Sequence, residues 1–80
     1  MRHFSVIIEK PNHTGYFEGH TVKHDDGYSL VCTSLVGSGM CDFVGLSKSS
    51  LLGLKSIIHK QASKRKTWKT TYSNYPCKKQ

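Results

Sequence analysis

Only one stretch of this chain spaces its apolar residues for a helix. Leu51, Leu54, Ile58 and Ala62 recur three, four and four residues apart, with Ile57 widening the stripe. That spacing predicts an amphipathic helix over 47–64, apolar on one side. Ser47 is its expected N-cap. Lys64, Arg65 and Lys66 fall in or just past the last turn, where cations meet the negative end of the helix dipole. Gly53 weakens the helix by ~1 kcal/mol relative to alanine.

The residues before the helix come in strand-length pieces. In 3–9, Phe4, Val6 and Ile8 alternate onto one face and Ser5, Ile7 and Glu9 onto the other; Pro11, Asn12 and Gly15 then break the run. A second strand is expected over 16–24, with Phe17 and Val22 as inward anchors on opposite phases and Gly19 as a bulge that switches between them. Asp25-Asp26-Gly27 is a hairpin signal. The third strand, 28–36, has Tyr28, Leu30 and Cys32 on one face and Val31, Thr33 and Leu35 on the other, which suits a central place in a sheet. Gly37-Ser38-Gly39 makes a further turn, and 40–44 is read as a short fourth strand, with a loop as the alternative. After the helix, 67–75 reads as a last strand, with Trp68, Thr70 and Tyr72 on one face; Pro76 ends it. The predicted fold is α+β: an antiparallel sheet of four to five strands with one amphipathic helix on one face, in the order β-β-β-(β)-α-β. Residues 1–76 form the expected domain and 77–80 a loose tail.

Eighty residues make one domain with a thin core, since a chain this short buries only about 60% of its unfolded surface. Nothing near the start has the form of a secretory signal, and no apolar run approaches the ~20 residues of a membrane span. Three cysteines, Cys32, Cys41 and Cys77, are an odd number. Together these point to reduced thiols and a cytoplasmic protein; in a secreted chain Cys32 and Cys41 would be the pair to form.

The charge is lopsided. Twelve Lys and Arg face five Asp and Glu, a formal +7. From Lys48 onward there are nine basic residues and no carboxylate, and all five acids lie between Glu9 and Asp42. Such a half-chain is expected to present a field that its own acids do not cancel locally, and so to seek an anionic partner. Lys48, Lys55, Lys60, Lys64, Arg65, Lys66 and Lys69 are the expected binding residues, acting by charge complementarity without base readout. Trp68 and Tyr72 lie among them, either as stacking platforms or, as the alternation favours for Trp68, as core.

Other chemistry is weaker. His20, His24, Cys32 and Cys41 would furnish a zinc site, but no metal-binding spacing joins them. A cysteine nucleophile with a histidine and Asp42 has no motif behind it. Gly37-Ser38-Gly39 lacks the lysine of a phosphate-binding loop. Neither catalytic residues nor cofactors are expected.

The segments "HFSVIIEKPNHTGYFEGHTV", "YSLVCTSLV", "LSKSSLLGLKSIIHKQASK" and "TWKTTYSNY" follow one another in strand–strand–strand–helix–strand order. In size and element order the chain resembles small phage-encoded anti-defence proteins, including some anti-CRISPR proteins. The resemblance implies a non-enzymatic protein, in the host cytoplasm, that occupies a surface of a nucleoprotein machine. Many such inhibitors are acidic and mimic nucleic acid, whereas this chain is basic. The resulting expectation is a small basic binding protein that engages a nucleic acid or nucleoprotein complex. The alternative is a steric inhibitor docking on an acidic protein surface, and the third reading is a zinc- or cysteine-dependent enzyme.

Overall fold

The computed structural model describes residues 3–65 and 67–74. They form one five-stranded antiparallel sheet with a single helix packed on one face, an α+β fold. The strands are β1 (Phe4–Glu9), β2 (Tyr16–His24), β3 (Gly27–Val36), β4 (Ser47–Lys48) and β5 (Lys69–Asn74), and the helix α1 is Leu51–Ser63. Their order across the sheet is β4-β3-β2-β1-β5. The first strand is therefore internal, paired with β2 on one side and with β5 on the other.

Strict alternation explains β1. Phe4, Val6 and Ile8 are buried and the residues between them half-buried. They meet Leu51, Leu54, Ile58 and Ala62, the buried stripe of α1. Phe17, Leu30, Met40 and Phe43 complete the core. Each such side chain contributes about 1.5–3 kcal/mol relative to exposure. Among the described residues, the other face of the sheet carries no helix. There Tyr16, Glu18 and His20 of β2 stand beside Glu9, Ile7 and Ser5 of β1, and the Tyr16 hydroxyl donates to Glu18 at 2.8 Å.

Several expectations are corrected. The bulge lies beside Gly19, but the extra residue belongs to β3: Glu18 faces Ser34 while Gly19 faces Cys32. Thr33 is the surplus residue, and its hydroxyl donates to the Glu18 carbonyl at 3.0 Å. The phase switch therefore falls on β3, where Leu35 turns inward to join Leu30 and Cys32. Val22 stays off the core face because β2 alternates unbroken. Gly19 is required for another reason: a Cβ there would meet the Val31 carbonyl oxygen at 2.8 Å and the Phe17 ring at 3.0 Å.

The segment 40–44 is not a strand. Met40–Phe43 is a 3-10 turn entered through Gly39 at φ 83°. Three residues per turn put Met40 and Phe43 on one side, and both are fully buried. The fourth strand is instead Ser47–Lys48, paired with Tyr28 and Ser29. Ser47 is thus an edge-strand residue, and the helix cap is Ser50, whose hydroxyl accepts from the Gly53 amide at 3.0 Å. The hairpin loop is Asp25-Asp26, one residue earlier than an Asp-Gly turn; Gly27 already opens β3 opposite His24. The last strand begins at Lys69 rather than at 67, and its expected end at 75, like the tail 77–80, lies outside the described residues.

Candidate nucleic-acid interface

The seven basic residues singled out from the sequence do not share one patch. Lys48 is not on the helix at all: it ends β4, at the sheet edge opposite β5. Four strand spacings of ~4.8 Å separate those edges, roughly 19 Å. Lys48 borders a shallow recess with His24, Tyr28, Ser29 and Ser49. Lys69 opens β5 on the face away from the helix, in register with Glu9. Lys66 lies outside the described residues.

Around α1, at ~100° per residue, Lys55 and His59 lie on the flank nearest β5, Lys60 on the outward side and Lys64, just past the end, towards the other flank. Lys60 and Lys64 are exposed; Lys55 and Arg65 are half-buried. No carboxylate stands on α1.

Between α1 and β5 runs an open cleft of about 270 Å³ lined by His59, Ala62, Ser63, Arg65, Trp68, Thr70 and Tyr72. Its aromatic rings are already engaged. Trp68 is half-buried against the core, with Phe43 at 6.4 Å between centroids. Two cations stand over it: Lys10 Nζ at 5.2 Å and Arg65 Cζ at 5.0 Å from the ring centroid. Tyr72 packs edge-on against Phe4 at 5.7 Å, with Lys55 Nζ 4.7 Å from its centroid. Its hydroxyl is buried with no hydrogen-bond partner among the described residues, and burial pushes its pKa above the ordinary tyrosine value.

Arg65 is committed inside the fold. It forms an ion pair with Asp42 and donates from Nη1 to the Gln61 carbonyl at 3.3 Å. Asp42 thereby supplies the local counter-charge that the linear sequence hides, correcting the expectation of a wholly uncompensated second half. Sequence reasoning also missed Lys10, whose ammonium donates to the Ser38 hydroxyl at 3.2 Å while facing Trp68. Its only signal is a lysine just outside a strand, which carries no long-range information. Asp42 left a clearer one, as the single acid between the hairpin and the helix.

The histidines and cysteines are kept apart by the pleat. His20 shares the helix-free face with His24, whereas Cys32 turns toward the helix side and Cys41 sits exposed in the 3-10 turn. His24 Nε2 and the Ser29 hydroxyl are 2.6 Å apart. Among the described residues no three His, Cys, Asp or Glu side chains gather as a metal-binding group, and no helix is long and apolar enough to cross a membrane. What the α1 surface offers chemically is charge neutralisation. In comparison with known proteins, no family model matches the chain, and no curated protein or solved structure matches it either.

Proposed function

We propose that this protein is a small non-enzymatic binding module that engages the phosphate backbone of a nucleic acid, free or within a nucleoprotein complex. The observation that carries the reading is the outward side of α1. It presents Lys60, with Lys64 exposed just past the helix end and no carboxylate on the helix, whereas a merely solvated helix ordinarily mixes signs. Lysines so placed neutralise phosphates irrespective of sequence. Stacking on bases is not part of the reading, because Trp68 and Tyr72 already hold cations over their rings. A binder of this kind acts by occupancy, and the likeness in size and element order to phage anti-defence proteins extends the proposal to inhibition of a defence complex.

Titration of short random-sequence oligonucleotides across a salt series tests it. Affinity should fall with a slope of about −0.7 in log K per log salt for each phosphate neutralised on a single strand. Absence of salt-dependent binding to either single strands or duplexes, together with nuclease-resistant capture of one protein, would replace this reading with docking on an acidic protein surface.

A further inference from the structure

The two edges of the sheet are built differently. The β4 edge is two residues long, and the part of β3 that runs past it is kinked by the surplus Thr33. Short edge strands and bulges are the means by which sheets avoid recruiting another chain. The β5 edge has neither. All six residues of Lys69–Asn74 pair with β1 in unbroken register. The strand contains no proline or glycine, and Thr70, Thr71 and Tyr72 are strand-favouring types. Its far side pairs with nothing among the described residues. About half of its amides and carbonyls therefore point outward, ready for another strand.

We propose that the β5 edge takes up an extended, acidic polypeptide segment as a sixth strand. Backbone pairing requires a polypeptide, because a nucleic acid has no ladder of amides and carbonyls to match. Charge selects the acidic kind. On the helix side of the edge stand Lys55, over Tyr72, and His59, which lines the cleft with Thr70. On the other side Lys69 stands in register with Glu9, so the uncompensated positive charge of the edge lies on the helix side. Neither α1 nor β5 contains a carboxylate, and nearby Asp42 is held by Arg65. Every second side chain of an added strand would project to the helix side, where carboxylates find Lys55. A second copy of the chain would instead bring the same cations together. The edge is distinct from Lys60 and Lys64, so this inference and the phosphate reading stand or fall separately.

Amide hydrogen exchange of the whole protein, read by NMR, tests the proposal with a synthetic peptide of alternating glutamate and valine. The fast-exchanging alternate amides of Lys69–Asn74 should slow about tenfold or more at saturating peptide. A lysine–valine peptide, or the acidic peptide N-methylated at alternate residues, should leave them unchanged. The proposal is overturned if the acidic peptide gives no protection. It is equally overturned if an oligonucleotide slows the same amides, or if raising the protein concentration alone does so, which would assign the edge to a second copy.

Discussion

The Arg65 guanidinium lies 5.0 Å from the centre of the Trp68 ring while holding Asp42 in an ion pair. One side chain thus ties the end of α1 to the 3-10 turn and to the approach to β5. Both contacts are partly exposed, so each is worth about 0.5–1 kcal/mol. Arg65→Ala should lower unfolding free energy by about 1–2 kcal/mol, and Asp42→Asn by less, in urea denaturation. A double-mutant cycle between positions 42 and 65 should give a coupling of about 0.5 kcal/mol or more. Additivity would show that the pair is not coupled.

Lys60→Gln and Lys64→Gln act elsewhere. Both side chains are exposed, so the double variant should keep stability within about 0.5 kcal/mol. It should bind oligonucleotides more weakly and with a salt slope shallower by about 1.4 for a single strand, reflecting two lost phosphate contacts. Fluorescence anisotropy across a salt series measures this. Unchanged affinity and slope would remove these lysines from the interface.

Tyrosine ionisation sets an alkaline limit. The hydrogen bond to Glu18 chiefly raises the Tyr16 pKa, and burial raises that of Tyr72. In the unfolded chain both titrate near 10.0. Between that value and the higher folded one, the unfolded state has released protons that the native state retains. Their contribution is therefore complete below pH 10 and falls as pH rises through the folded pKa values. Tyr72→Phe should remove part of this alkaline loss. At neutral pH it should be neutral or stabilising by up to about 1 kcal/mol, because the hydroxyl it deletes has no partner among the described residues. Denaturation series of both proteins from neutral to alkaline pH supply the comparison.

Gly19→Ala tests the bulge. The new methyl would press on the Val31 carbonyl at 2.8 Å, a backbone atom fixed by the ladder. A loss of about 1–3 kcal/mol is expected in thermal or chemical unfolding. A neutral result would mean that β3 yields at Thr33.

Legibility from the sequence followed the range of the interactions. Phe4, Val6 and Ile8 declared β1 because their alternation is local, and Leu51, Leu54, Ile58 and Ala62 declared α1 for the same reason. Met40 and Phe43 were apolar enough to suggest a strand, but a spacing of three also fits a 3-10 turn, and Gly39 decided between them. Ser47 was the expected cap of α1; its pairing with Ser29 left the role to Ser50. The surplus residue at Thr33 shows only when β3 is laid against β2. At the candidate site the lysines were plain from composition, but their dispersal was not. Sheet order separates Lys48 from Lys69, and contacts across the fold commit Arg65 to Asp42.

The internal position of β1 sets a timetable for synthesis. As the chain is made, β1 has its β2 partner within a few residues, but its other neighbour, β5, is translated only after the hairpin and helix. Until then β1 is itself a bare margin of a half-built sheet, apolar on its inner face and open to misassociation. Any nascent chain stalled before Lys69 would expose that margin to the cell.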